Sequence, residues 1–299
     1  MGIVHDNLTV KDLYKYRIKI FSNGDVELRQ YDNQLITKDG DFIDYEDPEL
    51  SNILFSDSSG SSSSVAEFKS VRSDSLYRSR VLCTDLAHEN VKDWHSFITL
   101  TFADNVSDLN FANSEFHKWV TLWSRCKPGF KYLAVPEFQK RGAVHYHILT
   151  NLVCGLDIEK KEPLATSSFK SGRDFSGVRV LEYYNLKYWK NGFSSAFPLE
   201  LVDDKFKVQL YISKYLIKDI DNRLFGRNKI MHSQNLALPK VVRASHRDGL
   251  VSYLIDQLQD LEFDEFRFDS SGAFQVSFCD FKFHLDSDSF NHICNYFIK

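Results

Sequence analysis

The sequence predicts an α+β protein whose central antiparallel sheet carries helices on its faces. Apolar positions recur with helical spacing over Ser107–Cys126 and Leu250–Leu261, whereas Trp94–Phe102, Lys131–Phe138 and Ala143–Leu152 have the pattern of strands. Only a short turn separates the last two strands, which makes them antiparallel neighbours. Strands in hairpins, interspersed with helices, are typical of the α+β class.

The length and composition divide the chain into three parts. A chain of 299 residues with 43% hydrophobic and 14% aromatic residues can form one large domain or two small ones. The serine-rich stretch Ser56–Ser64 has the composition of a flexible linker. We therefore expect an N-terminal hairpin region with its linker (1–64), a central domain (65–247) and an acidic C-terminal helix and hairpin (248–299).

Several classes of protein are disfavoured by what the sequence lacks. The five cysteines are scattered and contain no C-x-x-C pair, which favours a reducing cytoplasm over a disulfide framework or a zinc site. We expect neither a signal peptide nor a membrane span, because no apolar run of about 18 residues is present. A G-x-x-x-x-G-K-[ST] motif is also missing, so no ATPase domain is expected.

The net charge of −4 hides a strongly basic segment. Residues 1–64 contain 6 basic and 12 acidic side chains, and residues 248–299 contain 3 basic and 10 acidic ones. Residues 205–247 instead contain 10 basic and 2 acidic side chains, a net charge of +8. Such a local basic patch is the electrostatic pattern expected of a surface that binds a phosphate backbone.

Other segments have patterns that leave their function open. Val65–Glu89 has the spacing of a helix, on which Arg78 and Arg80 either contact DNA phosphates or solvate the outer face. Tyr183–Phe193 is expected to be a short helix ended by Gly192. Its Tyr188 and Trp189 rings either pack under the sheet, which we favour, or stack on single-stranded bases.

The stretch Glu137–Asn151 is the strongest indication of a functional site. A three-residue loop, Lys140-Arg141-Gly142, fits a hairpin with Gly in the left-handed position, so that Glu137 lies opposite His145. Side chains alternate along a strand, and His145 and His147 therefore share a face with Glu137 while Tyr146 points the other way. Two imidazoles and a carboxylate can hold a divalent ion with open coordination positions. The alternative is an ordinary partly buried histidine pair.

A second stretch supplies tyrosines that such a site can use. If Lys205–Ile220 is a helix, Tyr211 and Tyr215 lie on one of its faces, and Lys214 and Lys218 each follow a tyrosine by three residues. A phenol has a pKa of about 10, so nearby positive charge is needed to generate a phenolate nucleophile near neutral pH. Taken alone, the two tyrosines are better explained as the aromatic stripe of an amphipathic helix, and only their combination with the histidine strand favours a catalytic role.

Together these stretches resemble the HUH endonucleases, and most closely the rolling-circle replication initiators of small single-stranded DNA phages and bacterial plasmids. The resemblance rests on F-I-T-L-T-F (Phe97–Phe102), on the segment from Lys131 to Leu149 that contains H-Y-H, and on Y-I-S-K-Y-L-I-K-D (Tyr211–Asp219). R-L-F-G-R-N-K (Arg223–Lys229) resembles the segment after the third motif in that family. The chain departs from the family in the long segment between the second and third motifs.

The resemblance implies a fold, an activity and a set of site residues. The central domain would be an HUH endonuclease domain that nicks single-stranded or hairpin origin DNA in the cytoplasm of a bacterial host. It would leave a 5′-phosphotyrosine and a 3′-hydroxyl primer. The metal, Mg²⁺ or Mn²⁺, would be held by His145, His147 and Glu137. Tyr215 would be the first nucleophile and Tyr211 the alternate, assisted by Lys214 and Lys218. The residues expected to contact DNA are Arg141, Arg223, Arg227, Lys229, Arg78 and Arg80.

The same resemblance also implies partners and rival functions. Because no ATPase motif is present, strand unwinding would require a host helicase and the host replication machinery. A transposase or relaxase would use the same site on other DNA. A non-catalytic DNA-binding regulator on the same fold, or a metal-dependent hydrolase without a covalent step, is the alternative outside this chemistry.

Overall fold

The computed structural model describes ten stretches of the chain. These are residues 13–36, 78–139, 141–161, 183–186, 188–199, 212, 228–244, 249–258, 261–269 and 277–297. The chain divides into two compact units, one made of residues 75–237 and the other of residues 1–74 together with 238–299.

The unit of residues 75–237 is built on a five-stranded sheet. Its strands, in spatial order, are β8 (Ser194–Pro198), β3 (Ser96–Thr101), β5 (Val144–Thr150), β4 (Tyr132–Phe138) and β9 (Met231–His232). All neighbouring pairs are antiparallel. Every residue of β5 is buried, as expected for a central strand covered on both faces. A two-stranded sheet of β6 (Glu159–Lys161) and β7 (Tyr183–Asn185) lies in the same unit.

Helix α2 (Leu109–Cys126) covers one face of this sheet. Its apolar side buries Phe116, Trp119 and Trp123, and the ring of Phe116 stacks on Tyr146 of β5 with centroids 4.6 Å apart. The helical pattern of the sequence begins at Ser107, but Asp108 is the N-cap, because its carboxylate accepts a hydrogen bond from the Asn110 amide at 2.9 Å.

The opposite face of the sheet carries a second apolar cluster. A helix over residues 78–89, here called α1, contributes Cys83, Leu86 and Ala87, and a 3₁₀ turn follows at Val91–Asp93. The sheet contributes residues of one parity from each strand, which are Phe97, Leu133, Val135, Leu149 and Phe197. The central sheet of this unit therefore lies between α1 and α2.

One element of this unit differs from its prediction. Tyr183–Asn185, expected to be helical, forms strand β7 and pairs with β6 in the register Lys161 to Tyr183. The partner strand is about 20 residues upstream, and this non-local pairing outweighs the local helical pattern. Trp189 packs in the core, as favoured from the sequence, and its indole N–H donates to the Thr101 carbonyl at 2.8 Å.

The second unit is also built on a five-stranded antiparallel sheet. Its strands run in the order β10 (Lys240–Ala244), β1 (Leu13–Ile20), β2 (Asp25–Ile36), β12 (Ser277–His284) and β11 (Phe263–Asp269). Helices α3 (Gly249–Leu258) and α4 (Ser287–Tyr296) bury Leu250, Leu254 and Ile293 in one cluster with the apolar side chains of the sheet, among them Ile18 and Leu28. A turn at Asn23-Gly24 joins β1 to β2, with Gly24 at φ 97°.

The strands near the two ends of the chain thus share one sheet. Strand β2 pairs with β12 in the register Arg29 to Asp280, about 250 residues apart. The Arg29 guanidinium forms a bidentate ion pair with Asp280, at 2.7 and 3.0 Å. The predicted domain boundaries at residues 64 and 247 stay a prediction. The structure shows that the regions before and after these boundaries contribute neighbouring strands, β2 and β12, to one sheet.

The α+β class is confirmed, since the described residues form helices and two five-stranded antiparallel sheets. Among the described helices, none combines the length and the apolar character that a membrane crossing requires.

Candidate functional site

The β4–β5 hairpin has the geometry predicted from the sequence. The Gln139 amide donates to the Ala143 carbonyl at 2.8 Å, and the Gly142 amide donates to the Gln139 carbonyl at 2.7 Å. Gly142 has φ 93°, a conformation that side chains with a Cβ rarely adopt. This turn sets the register in which Glu137 lies opposite His145.

Two rows of side chains cross the sheet on the face covered by α1. In one row Thr101 of β3 is paired with His145, and His145 with Glu137. In the next row Thr99 is paired with His147. Tyr146 points to the other face, where its hydroxyl donates to Asn113 Oδ1 at 2.8 Å. The prediction that Glu137, His145 and His147 share a face is therefore confirmed.

Three contacts hold the His147 ring. Its Nε2 atom lies 2.7 Å from Glu137 Oε2, and its Nδ1 atom lies 3.4 Å from Thr99 Oγ1. The ring stacks on Phe97, with centroids 5.9 Å apart and planes 20° apart. Only 6% of His147 is exposed. The ring is thus oriented by a carboxylate and a hydroxyl at its two nitrogens.

His145 is in a different situation, because its Nε2 atom is buried with no hydrogen-bond partner within the part of the chain that the structure describes. The pKa of His145 is lowered to about 4, first by burial and then by the nearby His147, while the Glu137 carboxylate partly opposes both. The imidazole is therefore neutral near pH 7, with an sp² nitrogen available as a ligand. An unsatisfied buried nitrogen normally costs stability unless a ligand completes it.

These donors fit a divalent metal by type and by the face they share. Two imidazoles and one carboxylate suit Mn²⁺ and other transition ions and do not exclude Mg²⁺. In the described residues, however, no three His, Cys, Asp or Glu side chains are already arranged around a common point. The Glu137 carboxylate and the His147 imidazole instead contact each other directly, at 2.7 Å.

The predicted nucleophiles and their lysines, Tyr211, Tyr215, Lys214 and Lys218, lie outside the described residues. Ile212, which stands among them in the sequence, is described. It is helical, fully buried and part of the cluster that includes Phe97, Val135 and Leu149. Ile212 therefore packs on the sheet face that carries the two histidines.

The residues expected to contact DNA have different surroundings. Arg141 is exposed in the hairpin loop, where Nε donates to Gln139 Oε1 at 3.1 Å and Nη2 donates to the Phe102 carbonyl at 3.3 Å. Arg78 is exposed and Arg80 is half-buried on α1. Arg223 and Arg227 lie outside the described residues.

Lys229, also expected to contact DNA, is largely buried. It is only 7% exposed, and burial lowers the pKa of its ammonium group. Its contact with a phosphate stays a prediction. Its place in a basic run of the sequence suggested exposure, but burial depends on packing that the run does not encode.

Sequence reasoning assigned no role to the two threonines that accompany the histidines. Thr99 contacts His147, and Thr101 Oγ1 donates to the Phe193 carbonyl at 2.8 Å beside the row of His145. The alternation of Phe97, Thr99 and Thr101 in β3 was the available signal. This alternation showed that the three residues share one face of β3, but it did not show that β3 lies next to β5.

Comparisons with known proteins point to DNA replication. Residues 95–220 match the family of replication-associated protein ORF2/G2P, and the match includes the β4–β5 hairpin and Ile212. The chain is also 28% identical over 142 residues to the phasyl DNA replicon protein arp of Escherichia coli. That alignment covers 42% of this chain and 44% of the relative, so the chain spans less than half the length of the relative it matches. No solved structure matches significantly. These likenesses support a replication-associated protein.

Proposed function

We propose that this protein initiates rolling-circle DNA replication as a metal-dependent, site-specific single-strand endonuclease and strand transferase. The observation that carries the proposal is the Glu137–His145 register, which gathers His145, His147 and Glu137 on one sheet face. Ile212 of the segment with the predicted tyrosines packs on that same face. The match of residues 95–220 to a replication-associated family supports the same function.

Glu137, His145 and His147 would hold Mg²⁺ or Mn²⁺ close to the scissile phosphate. The ion, when bound, would polarise a phosphate oxygen and neutralise developing charge. The role of the protein is to orient the ligands, which Thr99 and Phe97 do for the His147 ring. Its neutral His145 is ready to coordinate without first losing a proton.

The nucleophile would be Tyr215, with Tyr211 as the alternate. In an α-helix, Tyr215 would lie about 60° and Tyr211 about 100° from Ile212, on the same side of the axis. A helix anchored through Ile212 would thus bring both phenols to the margin of the histidine-bearing face. The phenol oxygen would form a bond to phosphorus while the bond to the 3′ oxygen breaks. Lys214 and Lys218 would stabilise the phenolate or hold a phosphate.

The substrate would be single-stranded or hairpin origin DNA in the cytoplasm of a bacterial host. Arg141, exposed beside the histidine face, would contact the DNA backbone together with Arg78, Arg80, Arg223 and Arg227. A host helicase and the host replication machinery would unwind and copy the DNA.

A covalent-adduct assay tests the proposal. The full chain is mixed with Mn²⁺ and single-stranded DNA from the origin region of its own replicon, and the products are separated in denaturant. We expect a protein–DNA adduct that disappears in Tyr215→Phe and in His145→Ala. Tyr132→Phe, a tyrosine of the opposite sheet face, should still form the adduct and serves as the matched control.

The other outcomes of this assay identify the rival functions. Cleaved DNA without an adduct would contradict the strand-transfer step and indicate a metal-dependent hydrolase. Binding without cleavage would indicate a non-catalytic DNA-binding regulator. A transposase or relaxase would form the adduct on DNA other than the replication origin.

A further inference from the structure

The row of side chains that contains His145 extends one strand further than the sequence suggested. Strand β8 pairs with β3 in the register Leu100 to Ser194, and the Thr101 amide donates to the Phe193 carbonyl at 2.8 Å. Phe193 is therefore the neighbour of Thr101, and it has the same parity as Phe197, which lies on the histidine-bearing face. The row across the sheet runs Phe193, Thr101, His145, Glu137.

Phe193 differs from the other aromatic residues of this face because it is 45% exposed, whereas Phe97 and Phe197 are buried in the cluster beneath α1. Two intervals between adjacent strands separate Phe193 from His145, or about 10 Å between Cα atoms. An aromatic ring at this distance lies beside the site, within reach of the nucleotide next to a phosphate held there.

The backbone holds Phe193 in place firmly. Its carbonyl accepts from both the amide and the hydroxyl of Thr101, each at 2.8 Å, and the Ala103 amide donates to the Asn191 carbonyl at 2.9 Å. A Cβ atom at Gly192 would lie 2.4 Å from the Thr101 carbonyl oxygen, so the close approach of this segment to β3 requires glycine. A partly exposed ring on a rigid segment loses little conformational freedom when it binds.

A positive charge lies near the same end of β3. Arg141, exposed in the hairpin loop, donates from Nη2 to the Phe102 carbonyl, the residue that follows Thr101. Proteins that bind single-stranded nucleic acids combine aromatic rings, on which bases stack, with positively charged groups, which bind the phosphates.

From this arrangement we propose that Phe193 stacks on the base next to the scissile phosphate, and that Arg141 binds the adjoining backbone phosphate. This inference rests on the proposed endonuclease function, and it assigns the residue that positions the DNA strand on the metal-binding face. Stacking on an aromatic side chain tolerates any base, so Phe193 would contribute affinity and position more than sequence specificity.

The test compares two exposed phenylalanines. Phe111, 50% exposed on α2 at the opposite face, is the matched control for Phe193. Affinity for single-stranded origin DNA is measured by fluorescence anisotropy, and adduct formation is measured on the same DNA. We expect Phe193→Ala to weaken binding roughly 5- to 100-fold. Phe193→Leu should weaken binding similarly, Phe193→Trp should preserve it, and Phe111→Ala should leave it unchanged.

An abasic scan of the DNA locates the stacked base. One abasic position next to the cleaved bond should weaken binding to the wild-type protein but add no further loss to Phe193→Ala. Equal affinities of Phe193→Ala and wild type, or full retention by Phe193→Leu, would overturn the stacking proposal. If the wild-type protein binds the DNA but forms no adduct, the proposed function fails instead, and the two failures are distinct.

Discussion

The Oε2 atom of Glu137 lies 2.7 Å from the Nε2 atom of His147. The two residues belong to adjacent strands and lie diagonally across from each other. Glu137 is paired with His145, and His147 is paired with Val135. Their contact closes the site on one side while Nε2 of His145 stays without a hydrogen bond in the described structure. A metal ion would exchange this contact for coordination by both side chains.

This arrangement predicts how metal binding responds to mutation. Mn²⁺ should raise the thermal unfolding midpoint of the wild-type protein, because an ion that binds only the folded state stabilises it. His145→Ala should weaken Mn²⁺ binding at least tenfold, by roughly 1.4 kcal/mol or more. Glu137→Gln should do the same although it keeps a hydrogen-bonding group beside His147. Calorimetric titration with Mn²⁺ measures both, and His117→Ala, an exposed histidine of α2, is the control. Unchanged Mn²⁺ affinity in His145→Ala would contradict the ligand assignment.

Substitutions in the β4–β5 hairpin turn should weaken metal binding. Gly142 has φ 93° and Gly129 has φ 73°, so alanine at either position should cost about 1–2 kcal/mol of folding free energy. Only Gly142 lies in the turn that sets the Glu137–His145 register. We therefore expect Gly142→Ala to weaken Mn²⁺ binding, whereas Gly129→Ala should destabilise the protein without that effect. Urea unfolding and Mn²⁺ titration of both variants separate the two effects, and equal Mn²⁺ affinities would argue that the register does not depend on this turn.

The opposite face of the same strand should affect stability alone. Tyr146 is fully buried, stacks on Phe116 and donates its hydroxyl to Asn113 at 2.8 Å. Tyr146→Phe should cost about 1 kcal/mol, the usual net value of such a hydrogen bond. Urea unfolding of this variant, of Asn113→Ala and of the double variant measures the pairwise energy. Mn²⁺ affinity should not change, and a parallel loss of Mn²⁺ binding would show that the two faces are coupled.

Cys83 should make the stability depend on pH in the alkaline range. Burial raises the pKa of its thiol from 9.0 to about 12. The unfolded chain then releases this proton above pH 9 while the folded chain keeps it. The stabilisation is complete below pH 9 and is lost as pH rises toward 12, at up to ~1.4 kcal/mol per pH unit. Other groups titrate in the same range, so the measurement is the difference between wild type and Cys83→Ala in urea unfolding at pH 8, 9 and 10. The prediction would be refuted if the difference in unfolding free energy between the wild type and Cys83→Ala stayed constant from pH 8 to pH 10.

The sequence by itself determined the hairpin, its register and the shared face of Glu137, His145 and His147. These features are local: a glycine in a three-residue loop sets the turn, and the two-residue period of a strand assigns each side chain to a face. The helix over 109–126 followed from its apolar spacing for the same reason, although Asp108 and not Ser107 caps it.

Only the tertiary structure decided the features that depend on distant parts of the chain. No local sequence pattern predicts the pairing of β2 with β12, the strand at Tyr183–Asn185 or the burial of Lys229. Each of them depends on residues far away in sequence or on how helices cover a surface. The alignment of Phe193 with Thr101 and His145 belongs to the same group. Strand order in a sheet is set by which apolar faces can be buried together, and that choice is made only when the whole unit folds.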